Sequence, residues 1–519
     1  MGHPEVIIED SEFRGLVGKR AGALLEAARR FAASDPADAD GTLGILTRPF
    51  LTVILSQASE LEEFLDAYGA LRNERWRPFR SVVAALKLFG RVHYALVHLA
   101  HAAPRYELLR VEGDLESALL QARRFTARVL HMASRRLVET GAALGLSARA
   151  VEVQEERLPP GRLPENCPLR RVDDVAGTVA RLATAFLNLA EEASPLASER
   201  WSGTQGPASV TLPEETELRR LAEDFHNLQA LYDTHVAHTD AERADAELPA
   251  LRGHASVVYH LLDAATDLRH HYERHVLHVV PAYDSVPLFA DQPECMAPES
   301  LEAVLRDCTL TFAARYVSAG RSLAQRLLRR YAEEGEVVVP VPRYRGFHVR
   351  PSTLVARVAY HYGSPVSMRL DDESYDASSP LELFRANEAI NAKKRRWLAG
   401  EIARLLEGPD EGLGDDLVRA VRHLVLRLAE EAKVIVYEQP LRTLECPRRE
   451  GQPFVSLVVE AIARLQALGK LDIVIPVSAI FRGDRRVLAD LQLLAANGYG
   501  EDAYGNNVPL PDELKYLRR

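Results

Sequence analysis

The sequence is poor in cysteine. Four are scattered through 519 residues, at Cys167, Cys295, Cys308 and Cys446. No two have metal-ligand spacing and no disulfide framework can be drawn, so a reduced, cytoplasmic setting is expected. Long apolar runs are missing too. The longest, Val82 to Ala103, is interrupted by Lys87, Arg91 and three histidines, which excludes a membrane span. The first residues lack a basic segment followed by an apolar core, so no signal peptide is expected. Positive charge is not in excess: 64 Lys and Arg stand against 74 Asp and Glu, which argues against broad nucleic-acid binding. A Ser/His/Asp triad, a Gly-rich phosphate loop, a dinucleotide fingerprint and a fixed-period repeat are all absent. The apolar fraction of 47% is nonetheless enough for sizeable cores in several domains.

Much of what is present is helical. Residues 1–195 carry helical apolar spacing over Phe13–Phe31, Arg48–Ala70, Pro78–Ala102, Asp114–Leu144 and Val172–Ala193. A proline- and charge-rich loop, 152–168, interrupts them. His93, His98 and His101 on the third of these helices read as satisfied or solvated histidines. Residues 193–212 are rich in Ser, Gly and Pro and form a linker. A second helical domain follows at 214–335. Its stretch from His226 to His278 holds nine of the seventeen histidines. His260, Asp267, His271, His275 and His278 fall on one helical stripe, beside an apolar stripe. Glu223-x-x-His226 and Asp267-x-x-His270 have the spacing of bundle-core metal pairs. No facing carboxylates complete such a site, so the stripe reads as a polar or partner-binding face. A proline-rich loop, 280–299, precedes a helix over Ser300–Tyr331, with Ser300 as its cap.

The most informative stretch is Val337 to Tyr362, VVVPVPRYRGFHVRPSTLVARVAYHY. Alternating valines predict a strand, Arg343–Phe347 a turn, and Leu354, Val355, Val358, Ala359 and Tyr362 one face of a helix. His348 then stands just before a helix start. Unbonded N–H groups and the helix dipole favour an anion there. Pro351 suits the first helical position, and Gly346 lets the backbone turn without crowding a ligand. Arg350, with Arg343 and Arg345 nearby, adds guanidinium donors suited to phosphate. A neutral ring nitrogen is nucleophilic near neutral pH, so His348 could accept a phosphoryl group without a metal.

Gly346-Phe347-His348-Val349-Arg350-Pro351-Ser352 resembles the active-site signature of HPr, the histidine phosphocarrier of the bacterial phosphotransferase system. That family has Gly-x-His-x-Arg-Pro between its first strand and first helix. The resemblance continues through Ala356, Ala359, the strand Pro365–Leu370, and Asp376-Ala377-Ser378-Ser379 before a second helix. It covers about 55 residues well and about 100 loosely. It implies an open-faced β-sandwich in which His348 is phosphorylated on a ring nitrogen and Arg350 steadies the phosphoryl group. Gly346, Pro351, Ser352 and Arg345 would line the phosphate cradle, and Ser379 would be a regulatory serine. It also implies a phosphohistidine donor protein of enzyme I type and a receiver that the sequence does not name. No cofactor or metal is implied. Ser379-Pro380-Leu381-Glu382 is by itself a helix-capping box, which accounts for the serine equally well.

The chain departs from the family after the second helix. That helix runs on from Leu381 to Leu406 through Lys393-Lys394-Arg395-Arg396, which reads as a solvated face. A helix at Asp415–Lys433 follows where the family has a fourth strand and a last helix. Val434–Tyr437 is a strand candidate, either for this sheet or for another element. Residues 441–453 read as a loop, 454–468 as a helix, 471–477 as a strand able to join the HPr-like sheet, and 485–497 as a helix. The tail is turn-rich. The expected architecture is mainly α with an α+β domain: helical 1–195, His-rich helical 214–335, HPr-like 336–440, and a C-terminal extension 441–519. Three functions stay open: a phosphoryl carrier or phosphorylation-dependent regulator, acting as a carrier and not as a turnover enzyme; a non-transferring adaptor; and a metal-binding helical enzyme at 214–335.

Overall fold

The computed structural model describes residues 7–35, 38–149, 163–164, 166–196, 212–277, 298–406, 416–437 and 452–518. Most of the four expected loops lie outside these residues, as do His278, Cys295, Cys446 and the side chain of His275. The fold is mainly α with a small antiparallel α+β part, and the chain divides into two compact units, Met1–Ala324 and Gln325–Arg519.

The first unit is built from α1 (Asp10–Ala32), α2 (Ala39–Ile45), α3 (Arg48–Ala67), α4 (Arg77–Ala102), α5 (Leu115–Ala143), α6 (Val175–Glu192), α7 (Glu215–His235), α8 (Asp240–Ala244), α9 (Glu247–His271), α10 (Pro298–Ala303) and the start of α11 (Thr311–Arg330). Local signals fix several helix starts. Asp114 accepts from the N–H groups of Glu116 and Ser117, and Asp174 accepts from Gly177. The helix expected to begin at Ser300 is instead already under way at Pro298, and it passes through a π-helical segment, Val304–Leu310, into α11. Ser300 therefore lies inside a helix and is not its cap.

Among the described residues, Arg77–Arg105 is the one stretch long and apolar enough to cross a membrane, and it is mostly buried within the unit. Phe79, Val83, Leu86, Phe89, Val92 and Leu96 are its buried faces. Each such side chain contributes about 1.5–3 kcal/mol on leaving water.

The histidine stripe of α9 is not an open face. His271 and Asp267 are buried, His271 meets the Phe89 ring edge-on at 5.0 Å, and Asp267 lies 3.3 Å from Arg91 Nε. The His260 ring sits 4.4 Å from that of His98, between α9 and α4. Polarity is not exposure here: helix packing on several sides buries Asp267 and His271 of the stripe. No group of three His, Cys, Asp or Glu able to hold a metal occurs among the described residues. His270 Nδ1 pairs with Glu215 at 2.8 Å, and the His226 ring lies 4.7 Å from Tyr259.

The second unit runs β1 (Glu334–Pro340), α12 (Val349–Tyr362), β2 (Val366–Leu370), β3 (Glu373–Asp376), α13 (Pro380–Leu406), α14 (Leu417–Glu430), β4 (Val434–Val436), α15 (Phe454–Ala467), β5 (Leu471–Ile473), β6 (Ser478–Asp484) and α16 (Arg485–Ala496). Four strands form an antiparallel sheet in the order β1-β6-β2-β3, with Val338 opposite Ile480 and Met368 opposite Phe481. The central strand thus comes from Ser478–Asp484, a stretch not singled out in the sequence. The strand expected at 471–477 is only three residues long and pairs with β4 in a separate two-stranded sheet. Val434–Val436 belongs there as well.

Residues between α13 and β6 build a second core. Leu398, Ile402 and Leu405 of α13 pack with Val421, Leu424 and Leu428 of α14, Val458 and Ile462 of α15, and Ile473 of β5. The first half of α13 places Leu383, Ala386 and Ile390 at 0% exposure beside α12 and β3. One 27-residue helix therefore serves two cores, which explains why its apolar pattern continues so long.

Candidate functional site

The site begins with a turn. Arg345 and Gly346 both have positive φ, 54° and 64°. This reverses the chain between β1 and α12. A Cβ on Gly346 would come within 2.1 Å of Asn387 Oδ1, so both conformation and space demand glycine. The Asn387 amide donates to Arg345 O at 3.0 Å and locks the turn. Gly346→Ala is expected to lower stability by about 1–3 kcal/mol. Thermal melts measure this, and an unchanged midpoint would refute the steric account.

After the turn, Phe347 is fully buried, its ring 6.5 Å from Phe481 and 5.7 Å from Tyr499. That anchor places His348 as the residue preceding α12, in extended backbone conformation. No side chain caps this helix, so the N–H groups of Val349 and Arg350 have no acceptor within it. Pro351 is the third helical residue and not the first as expected, because the helix starts at Val349. Having no N–H, it leaves no donor unsatisfied in that turn either.

The His348 ring is one-quarter exposed. Its Nδ1 lies 3.1 Å from Gly346 O. A carbonyl only accepts, so Nδ1 carries the proton of that bond. The Tyr344 ring meets the imidazole edge-on at 5.3 Å, and Tyr437 meets Tyr344 in the same way at 5.1 Å. The other ring nitrogen, Nε2, faces Glu501 Oε2 at 3.3 Å, while Glu501 Oε1 lies 3.8 Å from Arg350 Nε.

Glu501 was not singled out in the sequence. It reaches the site through Gly498, Tyr499 and Gly500, all with positive φ, which turn the chain sharply after α16. Tyr499 is buried against Phe347 and donates to Pro340 O at 2.8 Å. Beyond Glu501 the tail closes on itself. Asp502 accepts from the N–H groups of Tyr504 and Asn506 and from the Asn506 amide. These bonds, the Asn506 side chain foremost, hold its carboxyl below the usual range. The only sequence signal was the density of Gly and Asn after residue 497, which predicts a shaped loop but not its target.

The remaining expected phosphate ligands divide. Arg350 and His348 face the same carboxylate, that of Glu501. Ser352 is buried and its hydroxyl donates to Phe347 O at 2.9 Å, so it is committed to the backbone and not to a ligand. Pro351 is buried and has no donor. The Arg345 guanidinium packs against the turn at Gly469 and over the Tyr344 ring, while its backbone N–H donates to Asp472 Oδ2 at 3.1 Å. Ser379 precedes α13 and accepts from Glu382 N–H at 3.4 Å, the capping bond expected of it.

Asp472 is the centre of a buried network. Lys394 Nζ approaches its two oxygens at 2.8 and 2.7 Å, and both residues are under 5% exposed. The Lys-Lys-Arg-Arg run is therefore not uniformly solvated: Lys394 points into the interior while Arg395 and Arg396 remain exposed. Through Arg345, Asp472 ties the inserted two-stranded sheet to the turn that carries His348.

A separate open cleft of about 770 Å³ lies at the far end of α12, lined by Tyr360, Ser364, Ser367, Asp376 and Arg482. None of the expected phosphate ligands lines it. No family model, no curated protein and no solved structure matches the chain.

Proposed function

We propose that the second unit is an HPr-like phosphoryl-accepting module, a carrier or phosphorylation-dependent regulator, with His348 as acceptor and Arg350 as its anion-steadying partner. The observation that carries this reading is an imidazole at the start of a 14-residue helix that no side chain caps, with the Arg350 guanidinium facing the same carboxylate as the ring. An anion on that ring gains from the helix dipole, from free N–H groups and from Arg350. The order of elements supports the same reading. A strand, the histidine turn, a helix, two strands and a second helix come first, and after an insertion a further strand and last helix complete the sheet. The donor would be a phosphohistidine protein of enzyme I type, as the resemblance implies.

Incubation with such a donor is expected to give acid-labile phosphate on the wild type and none on His348→Ala. Arg350→Ala is expected to slow transfer about tenfold, through loss of one charge-assisted contact to the moving phosphoryl group. Equal labelling of wild type and His348→Ala would end the proposal.

A non-transferring adaptor is the second reading, and one observation favours it. The Glu501 carboxylate already occupies the anion-facing side of the ring. Partner capture unaffected by His348→Ala and by phosphodonor would support it.

A further inference from the structure

The cleft at the far end of α12 is assembled by the register of the four-stranded sheet. Side chains alternate between the two faces along each strand. Phe481, Met368 and Tyr375 lie opposite one another and are buried in the core. Their neighbours Arg482, Ser367 and Asp376 also lie opposite one another, and so project from the other face, where they line the cleft. Tyr360 and Ser364, at the end of α12, supply a second wall. That wall is held in place. The Gln325 amide donates to Tyr360 O and His361 O at 3.1 and 3.0 Å, and Arg329 donates to Gly363 O at 2.7 Å. The volume of about 770 Å³ falls among small-molecule sites, which span roughly 300–1,000 Å³.

The lining selects the ligand by charge. Arg482 is the one cation among the described residues that line the cleft, and it donates to Glu334 at 3.2 Å. Glu334 and Asp376 outnumber it, so the cleft does not suit an anion. Hydroxyl chemistry is well supplied. Ser378 donates to Asp376 Oδ1 from its N–H at 2.8 Å and from its hydroxyl at 2.7 Å, which fixes the carboxylate. The second oxygen, Oδ2, has no partner among the described residues and remains an acceptor. Ser364 is 4% exposed, and its hydroxyl has no hydrogen-bond partner. Buried polar groups seldom lack one, and such a group calls for an explanation. Tyr360, in contrast, is 69% exposed and presents an aromatic ring at the cleft.

We propose that this cleft binds a neutral ring bearing neighbouring hydroxyls, either a hexose or the ribose of a nucleoside. Asp376 Oδ2 accepts from one ligand hydroxyl, in a charge-assisted bond. Ser364 and Ser367 bond to others, each able to donate and to accept. The Tyr360 ring, with its negative π face, packs on the apolar C–H face of the ligand. The site goes beyond the phosphoryl-acceptor reading and does not depend on it, since neither His348 nor Arg350 lines the cleft.

The test is calorimetric titration of the full chain with maltose, with adenosine and with adenosine monophosphate. At least one of the two neutral probes is expected to bind at millimolar concentration or below. Binding of maltose alone would identify a sugar site, and binding of adenosine alone a nucleoside site. Tyr360→Ala and Asp376→Asn are each expected to weaken that binding about tenfold, through loss of one contact. Asparagine keeps an oxygen for Ser378, and the Tyr360 side chain is exposed, so thermal melts of both variants should match the wild type. His348→Ala should bind as the wild type does. Adenosine monophosphate is expected to bind about tenfold more weakly than adenosine, because its charge meets those of Asp376 and Glu334. Failure of both neutral probes to bind at millimolar concentration would overturn the proposal. Binding that survives both Tyr360→Ala and Asp376→Asn unchanged would place the ligand elsewhere and overturn it too. Tighter binding of the monophosphate would overturn the neutral-ligand assignment.

Discussion

Asp472→Ala is expected to lower the stability of the second unit by about 3–5 kcal/mol, the range found when one partner of a buried ion pair is removed. Lys394 is 4% exposed, and its ammonium has both Asp472 oxygens within 2.8 Å. Without them the charge stays inside with no acceptor. The loss goes further than the pair. Asp472 also accepts from Ile473 N–H at 2.8 Å, from Gln466 at 3.3 Å and from Arg345 N–H at 3.1 Å. The last of these steadies the turn before His348, so the phosphate acceptance proposed for it should fall together with stability. Replacing both charges, as in Lys394→Met with Asp472→Leu, should recover much of the stability, because no lone charge is then buried. Urea unfolding followed by circular dichroism measures both. A loss below 1 kcal/mol in Asp472→Ala would show that the pair is open to water.

The first unit is expected to weaken sharply between pH 7 and pH 4, for a reason specific to its interior. His93 is fully buried, and its Nδ1 lies 2.7 Å from Thr126 Oγ1. That hydroxyl already donates to Ala122 O, so Nδ1–H is the donor to it. Nε2 is buried and has no partner, and a proton added there would meet no acceptor. Burial, with Arg123 nearby, pushes the His93 pKa down to about 3. Burial, with His98, His226 and Arg252, pushes His260 down to about 4. For both, the unfolded chain binds a proton near pH 6.5 and the folded chain does not. Stability is therefore complete above pH 6.5 and is lost as pH falls below it.

Asp267 acts in the opposite sense. Burial raises its pKa to about 6 against the pull of Arg91, so the fold gains as pH falls from 6 toward 3.8. Each of the two histidines costs about 3 kcal/mol at pH 4 and Asp267 returns roughly 2, leaving a net loss of about 4 kcal/mol. Carboxylates elsewhere titrate in the same range, so the deciding comparison is between wild type and His93→Leu. The variant should lose about 3 kcal/mol less than wild type across this window. Parallel pH curves for the two would dismiss the buried-histidine account.

Taken alone, the sequence determined the parts whose causes are local. Helical spacing marked the helices of both units. Ser379 announced its cap, and Gly346 announced a turn. The placement of His348 at a helix start followed from neighbouring residues, because strand, turn and helix are adjacent there.

Tertiary structure decided what depends on partners far along the chain. A seven-residue stretch at Ser478–Asp484 became the central strand because β1 and β2 offered it two edges, which no local propensity records. Polar character in α9 and at Lys394 suggested solvent, yet burial depends on what packs against a face and on whether a counter-charge is supplied. Ser352 lost its expected role to a backbone carbonyl five residues before it. Glu501 met His348 only because a turn after α16 folded the tail over the start of α12. Charge pairing across such distances is set by the path of the whole chain, and composition and spacing carry no trace of it.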